Sequence, residues 1–502
     1  MKLRHRIVSL VLLALMLASA AGCTLYGIGD MTASRTEAES TSPAVTVIED
    51  TTEENFYIPC PLPDEPAFNC EKVGVFIWAD APVSELSFEN DPDDIVAQAI
   101  YSKNVKTEER LGVDLVVVEK KCTGTIEYEY EWINYVSNCV KIGLDDIDIV
   151  AGVSYTVGKC ALQGLLFNML DQSCEYLNFK KPYWYESFVS DARIGDGLYF
   201  ATGDISANLI ESMFVCYAND NLIERFSLPD PEKLALDGEW TFEQLVTMST
   251  GFYTESEKIY GFAANLLTLD PWFYASGARY CETDAELRIV ASPSFSGEKV
   301  TETVKMLSSF LNSPDVMSPT NMSNEAREAF ASRHSLFIFE DYGQSHKTFS
   351  GREVIFSILP IPKYDEKQER YYTVPKNPYT LYAITANAKD PARASAILEC
   401  LANNAYVGVT PAMHTRTIKL DNFATDSDSL AIYDLLRESL VYDHGRLFAD
   451  ELIGQSVFRN AAGITPDWQS YIGDRTVNSY LRTLNTTAAQ LNDKFDKVNA
   501  PS

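Results

Sequence analysis

The chain has 502 residues, of which 46% are hydrophobic and 12% aromatic, and its formal net charge is −30. One hydrophobic core rarely serves so long a chain, so we expect a globular protein with two or more lobes. The strong negative charge argues against nucleic acid and anionic lipid headgroups as direct partners.

Residues 1–23 have the three parts of an export signal: a basic start, an apolar core at 7–17, and small residues before Cys23. The apolar core is too short to remain as a membrane-spanning helix, which favours a cleaved signal. The sequence Ala-Ala-Gly-Cys at its end resembles a bacterial lipobox, in which Cys23 would receive a diacylglycerol. An ordinary signal peptide with an incidental cysteine is the alternative. Residues 24–70 are rich in Thr, Ser and Glu, which predicts a disordered tether.

Short apolar runs alternate with helical spacing after the tether. The runs suited to buried strands lie at 73–78, 113–118 and 147–153, and the helical patterns at 95–111 and 132–142. This alternation predicts parallel pairing in an open α/β sheet. Ligands of such sheets bind beyond the carboxyl ends of the strands. Trp78 and Asp80 follow the first strand and Tyr155 follows the third, so all three are candidate ligand-binding residues.

The stretch 194–219 reads as a crossing between two lobes. A polar turn leads into an apolar run at 198–200, predicted as a short strand, and the Gly203-Asp204 turn precedes a second apolar run at 213–217. Further along, Thr241 is suited to cap a helix. Trp240 directly before it is expected to pack structurally.

Aromatic residues are concentrated at 260–280, where Trp272, Phe273 and Tyr274 follow Pro271 without a break. Core aromatics normally recur at helix or strand spacing, so at least one of these is expected to point away from the core. This stretch predicts a ligand surface, and Trp272→Ala is expected to weaken binding with little loss of fold. Tyr342 follows another apolar run, at 335–340, and is also a candidate.

The sequence QAIYSKNVKTEERLGVDL and the segments 147–167 and 194–245 resemble the extracellular solute-binding lipoproteins of bacterial ABC importers, of the carbohydrate type. The resemblance implies an α/β, two-lobed, type II periplasmic-binding-protein-like fold with a hinge and an interlobe cleft. It divides the chain into a first lobe at 71–210, a second lobe at 211–360, a return to the first lobe at 361–410, and C-terminal helices at 411–502.

The resemblance also implies a function. A sugar or oligosaccharide would be held between the lobes and delivered to ABC permease subunits, with the protein lipid-anchored at the extracellular face of the cell membrane. Trp272 and Tyr342 would be stacking platforms for the sugar, and Asp80 and Asp204 would accept hydrogen bonds from its hydroxyl groups. The same fold binding a peptide or another polar solute, a sensory binding protein, and a surface glycan hydrolase are the alternatives.

The common catalytic and metal-binding motifs are absent from the sequence, including GxSxG, HExxH and the phosphate loop GxxxxGK. We therefore predict a protein that is not an enzyme and has no metal or cofactor. The ten cysteines include no CxxC pair. Cys60 and Cys70 are close enough in sequence to form a disulfide, whereas Cys216 and Cys400 lie in apolar runs and are predicted to be buried thiols.

Overall fold

The computed structural model describes residues 62, 68–69, 71–317, 324–420, 422–424, 428–448, 458–459 and 468–499, and the side chains of the last segment from 479 to 498. The predicted signal, the predicted lipidation site Cys23, the predicted Cys60–Cys70 disulfide and nearly all of the predicted tether therefore lie outside the described residues. No helix within the described ranges combines the length and the apolar character needed to cross a bilayer.

Eleven strands fall within the described residues. They are β1 Glu71–Trp78, β2 Val113–Lys120, β3 Ile149–Val153, β4 Phe214–Asn219, β5 Tyr260–Ala263, β6 Cys281–Thr283, β7 Ile289–Ala291, β8 Val316–Met317, β9 Ser335–Asp341, β10 Phe356–Leu359 and β11 Thr380–Ile384.

The α-helices of the described residues fall between these strands and after β11. They are α1 Ile95–Leu111, α2 Ile126–Ile142, α3 Ser154–Leu162, α4 Glu186–Asp191, α5 Ala207–Ser212, α6 Asp220–Phe226, α7 Pro231–Leu236, α8 Phe242–Met248, α9 Asp270–Ala275, α10 Glu298–Leu311, α11 Glu325–Ala331, α12 Pro391–Asn404, α13 Thr410–Ile418, α14 Ser429–Glu438, α15 His444–Leu447 and α16 Trp468–Asn499.

The first sheet has the strand order β11-β3-β1-β2. β1 pairs in parallel with both β2 and β3, as the alternating pattern predicts, whereas β11 joins β3 antiparallel. Because β11 lies far along the chain, this sheet is completed only by a late return, at residues 380–384. The predicted helix at 95–111 is confirmed, and Gly112 ends it with a left-handed φ of 63°.

The second sheet has the order β10-β4-β9-β5-β8 and mixes both directions: β4 is antiparallel to β9 and β10, and β5 is parallel to β8 and β9. All of its strands lie between Phe214 and Leu359. The two sheets thus take their strands from different parts of the chain: the first from 71–153 and 380–384, the second from 214–359. The predicted bounds of the lobes stay a prediction.

Three local predictions are confirmed and one is wrong. Thr241 caps α8 through its side-chain oxygen, and buried Trp240 donates its indole N–H to the Pro360 carbonyl at 3.0 Å. Cys216 and Cys400 are buried thiols. The apolar run at 198–200 is not a strand, because its pairing is limited to one isolated bridge, between Ala201 and Tyr382 of β11.

Candidate ligand-binding site

A cavity of about 650 Å³ opens where four parts of the chain meet. These are the 182–191 segment with α4, Arg279 after α9, the segment at 370–372, and the C-terminal part of α14 with the residues that follow it; Tyr406, between α12 and α13, completes the wall. Its lining residues are Pro182, Tyr185, Glu186, Ser187, Ser190, Asp191, Arg279, Arg370, Tyr372, Tyr406, Asp434, Arg437, Glu438 and Val441. Aromatic rings, carboxylates and guanidinium groups therefore face one solvent-filled space of a size that suits a small polar ligand.

Asp204 anchors one wall of this cavity. Its carboxylate is fully buried and accepts three hydrogen bonds from the Arg437 guanidinium: from Nη2 to Oδ1 and to Oδ2, each at 2.8 Å, and from Nε to Oδ1 at 3.1 Å. The Thr410 hydroxyl donates to the same carboxylate at 2.7 Å. Gly203 makes this position possible, since a Cβ on it would lie 2.0 Å from the Tyr183 carbonyl oxygen. The pair of Asp204 and Arg437 fixes the cavity-lining face of α14 to the Gly203-Asp204 turn.

Tyr185 stands beside this ion pair in a strained backbone conformation. Its φ is 47°, in the left-handed region that aromatic residues rarely adopt. The hydroxyl donates to Asp204 at 3.0 Å and accepts from Arg437 Nε at 3.3 Å. Burial and the neighbouring Asp204 raise the pKa of Tyr185 well above its ordinary value, so the hydroxyl stays protonated and can donate.

Two further arginines flank Tyr372 on the opposite wall. The guanidinium carbon of Arg279 lies 4.9 Å from the centroid of the Tyr372 ring and that of Arg370 lies 5.3 Å from it. Both distances are typical of cation–π contacts. Arg279 also lies 5.6 Å from the centroid of the Tyr274 ring, which is buried behind it. Tyr274 therefore supports the cavity wall from beneath.

Partial burial changes the pKa of two carboxyl groups at the cavity, those of Asp191 and Asp434. Burial raises the pKa of Asp191, although Arg279 and Arg370 oppose that shift. Burial likewise raises the pKa of Asp434, against the effect of Arg437, with which it forms an ion pair at 2.9 Å. Glu186 and Glu438 are exposed at the rim. The site thus offers carboxylate acceptors for ligand hydroxyl groups beside guanidinium donors.

The sequence-predicted residues at the strand ends lie outside this cavity lining. Trp78 is buried and donates its indole N–H to Thr380 Oγ1 at 3.2 Å. Asp80 accepts from the backbone N–H groups of Cys122 and Thr123, at 2.8 and 2.9 Å. Burial on its own raises the pKa of Asp80, but the hydrogen bonds from Thr123 and the backbone outweigh it and lower the pKa. The half-buried Tyr155 lies on α3, with Lys159 Nζ 6.0 Å from its ring centroid.

The expectation that one of the three consecutive aromatics points away from the core is wrong. Trp272, Phe273 and Tyr274 form the short helix α9, and all three are buried. Aromatic residues surround α9 and cover its sides. The rings that pack against Trp272 are those of Phe242, Phe262, Phe310 and Phe339. Trp272 therefore presents no open face to a sugar in this structure.

Tyr342 is also buried. Its hydroxyl donates to Thr417 Oγ1 at 2.9 Å, and its ring packs against Tyr433 with centroids 5.7 Å apart. Of the seven predicted residues, Asp204 and Tyr274 lie directly behind the cavity, in contact with the lining residues Arg437 and Arg279. The binding role of all seven stays a prediction.

Sequence reasoning missed Tyr185, Tyr406, Arg279 and Arg437. The aromatic run Tyr183-Trp184-Tyr185 was a weak signal, because the buried run at 272–274 shows that three consecutive rings can all be covered. Here Tyr183 and Trp184 hydrogen-bond to buried Glu399, and Tyr185 turns to the cavity. Arg437 carried no such signal, since it occupies an ordinary position in an amphipathic helix.

Three histidines make the stability of the fold depend on pH. Burial lowers the pKa of His346, His414 and His444 to about 4. An unfolded histidine has a pKa of about 6.5, so between these values the unfolded chain binds protons that the folded chain does not. Each such histidine therefore costs about 1.4 kcal/mol of stability for each pH unit lost in that window.

We expect the melting temperature to fall between pH 6.5 and pH 4, and His444→Gln to make that fall shallower. His444 is the matched choice because it is almost fully buried. His334→Gln, at an exposed position, is the control and should leave the pH dependence as it is in the unaltered chain. Equal slopes for the His444→Gln variant and the unaltered chain, measured by calorimetry across the same buffers, would contradict this explanation.

Comparison with known proteins gives matches at the level of structure. No protein-family model matches the sequence, and no curated protein matches it. One match is a sugar transporter of Rhizobium etli in an open conformation, with a TM-score of 0.55 and 12% identity. The match covers 83% of this chain and 99% of the transporter. A maltose-binding periplasmic protein of Listeria monocytogenes in complex with maltose has a TM-score of 0.52 and 15% identity, with 84% and 99% coverage.

A third solved structure is an ABC substrate-binding protein of Listeria monocytogenes in complex with cycloalternan, with a TM-score of 0.50, 12% identity, and coverage of 85% of this chain and 99% of that one. These matches cover 83–85% of this chain and 99% of each of the three proteins. The chain therefore has the two-lobed, type II periplasmic-binding-protein-like fold of the ABC substrate-binding proteins.

Proposed function

We propose that this protein binds a sugar or oligosaccharide in the cavity between the 182–191 segment, the segment at 370–372 and α14, and delivers it unchanged to an ABC permease. The observation that carries the proposal is the lining of that cavity. It combines Tyr rings with carboxylates and guanidinium groups, which are the groups that bind the C–H faces and the hydroxyl groups of a pyranose. The fold shared with sugar-binding transport proteins supports it.

The location of the cavity suits a binding protein that closes around its ligand. Its lining includes residues of the predicted first lobe, such as Tyr185, and of the predicted second lobe, such as Arg279. A ligand that contacts both would favour the arrangement in which they are close, in proportion to its preference for that arrangement. In our proposal a permease recognises the loaded form, and no chemical step on the ligand is required.

We further propose that the mature chain is lipid-anchored through Cys23 at the extracellular face of the cell membrane. The lipobox-like residues before Cys23 and the polar composition of 24–70 support this proposal. Metabolic labelling with a radioactive fatty acid tests it. Label should appear in the unaltered protein and be lost in Cys23→Ala, and label retained in that variant would contradict the anchor.

The binding experiment is a thermal-shift screen of the mature chain against monosaccharides, oligosaccharides, short peptides and amino acids. We expect a sugar to raise the melting temperature, because a ligand that binds the folded state alone stabilises it. The sugar should be recovered intact after prolonged incubation. Stabilisation by peptides alone would contradict a sugar ligand, and release of a shortened glycan would instead support a surface hydrolase.

Tyr406 offers the clearest test of the cavity itself. It is half-buried at the cavity wall, and its ring is the platform that we expect to stack on the sugar. With the sugar found in the screen, we expect Tyr406→Ala to weaken binding about tenfold or more and Tyr406→Phe to weaken it less than about threefold, since the phenyl ring keeps the face. Equal affinities for all three proteins in titration calorimetry would remove Tyr406 from the site.

A further inference from the structure

The cavity contains two arginines whose charges are not matched by an ion pair. Among the described residues, neither Arg279 nor Arg370 forms a salt bridge. The Arg279 guanidinium donates hydrogen bonds from Nη1 to the carbonyl oxygens of Ala278 and Tyr274, at 2.6 and 3.3 Å. A guanidinium has five N–H donors, so most of those on Arg279 remain available.

Other arginines of the same region are paired. Arg437 is bound by the buried Asp204, and Arg446 forms an ion pair with the buried Asp270 at 3.2 Å. A chain with a formal charge of −30 has carboxylates to spare for such pairs. Arg279 and Arg370 differ from these two arginines in having no such pair among the described residues, and both of them line the cavity.

Both guanidinium groups lie at the same part of the cavity wall, beside Tyr372. Each lies within 5.3 Å of the centroid of the Tyr372 ring. Each also lowers the pKa of Asp191, which burial raises, so both positive charges lie near one carboxyl group without bonding to it. Because both guanidinium groups lie close to the Tyr372 ring, the two forks are the recognition elements of this wall.

We propose, on the basis of the sugar-binding function above, that the ligand is an acidic sugar whose anionic group is bound by Arg279 and Arg370 together. Planar guanidinium forks match the oxygen atoms of a carboxylate or sulfate in paired hydrogen bonds. The acidic rim residues, such as Glu186, accept hydrogen bonds from the hydroxyl groups of the same ligand. The ring that stacks on the sugar is that of Tyr406, whose centroid lies 5.6 Å from the guanidinium carbon of Arg437.

The test is titration calorimetry with matched ligands. The acidic panel is trigalacturonate, a glucuronate-containing disaccharide and galactose 6-sulfate, and the neutral counterparts are the methyl esters of the first two and galactose. We expect at least one acidic sugar to bind about tenfold or more tightly than its neutral counterpart. A uronate preference identifies a carboxylate as the anionic group, and a preference for the 6-sulfate identifies a sulfate.

The variants Arg279→Gln and Arg370→Gln should each remove most of that preference. Arg352→Gln is the matched control, because Arg352 is ion-paired with Glu328 at 2.6 Å and does not line the cavity. Melting temperatures of all variants show that a lost preference is not a lost fold. Neutral sugars that bind as tightly as acidic ones, or a preference that survives both substitutions, would overturn the acidic ligand and leave the sugar-binding function intact. Failure of every sugar to bind would overturn both.

Discussion

Replacing Asp204 with asparagine is expected to lower the free energy of unfolding by about 3 kcal/mol or more, because it leaves the Arg437 guanidinium buried without its main counter-charge. The Asp204 carboxylate is fully buried and receives hydrogen bonds from Arg437, Thr410 and Tyr185. Asparagine keeps the size of the side chain but can accept at only one oxygen. Equilibrium unfolding in urea measures the effect.

Asp434→Asn is the matched control for Asp204→Asn. Asp434 binds the same guanidinium from the exposed side, where its side chain is 40% exposed, at an Nη1–Oδ1 distance of 2.9 Å. An exposed pair of this kind contributes about 1 kcal/mol or less. If the two variants lost equal stability, the buried pair would not be the element that fixes α14 at the cavity. Removing the other partner of the pair, by Arg437→Gln, should lower the free energy of unfolding as much as Asp204→Asn does.

Trp272→Ala is expected to lower the free energy of unfolding by about 3–5 kcal/mol, the usual cost of truncating a large buried aromatic side chain. The Trp272 side chain is fully buried, and its ring lies 4.8 Å from Phe242 and 4.9 Å from Phe339, between centroids. The cavity left by the indole would be lined by aromatic rings that cannot collapse onto alanine. This result differs from the sequence-based expectation of weakened binding with an intact fold.

Two controls make the Trp272 test specific. Trp272→Phe keeps an aromatic ring and should lose clearly less stability than Trp272→Ala. Tyr130→Ala removes an aromatic ring at an exposed position on α2, and should change stability by less than about 1 kcal/mol. Urea unfolding of the three variants gives the comparison. If Trp272→Ala kept its stability and lost only ligand affinity, the packing explanation would be contradicted.

The elements of the fold were predictable where apolar periodicity and caps agree. α1 matches the predicted 95–111 exactly in its bounds, because Asp94 accepts hydrogen bonds at its start and Gly112 turns left-handed at its end. The run at 198–200 shows the limit of this reasoning. Its residues are apolar because they enter the core, and the only pairing with β11 in this part of the described chain is one isolated bridge at Ala201, directly after the run.

The candidate site was much less predictable than the fold. Position after a strand singled out Trp78 and Asp80, yet each finds a partner close to the sheet: Thr380 for the indole, and the Cys122–Thr123 backbone for the carboxylate. The cavity instead depends on residues such as Tyr185 and Arg437, which are 252 positions apart. A single sequence contains no spacing pattern that predicts a contact between residues so far apart in the chain. The Gly203-Asp204 turn was the exception, because its residue types alone mark an unusual backbone.

Hydrogen–deuterium exchange with and without a saturating sugar tests most directly whether the sugar binds in the described cavity. We expect the sugar to slow exchange of the backbone amides at 182–191, 370–372 and 434–441, since those segments form the cavity walls. Protection limited to the strand ends near Trp78 and Tyr155, with no change in those three segments, would contradict the assignment of the site.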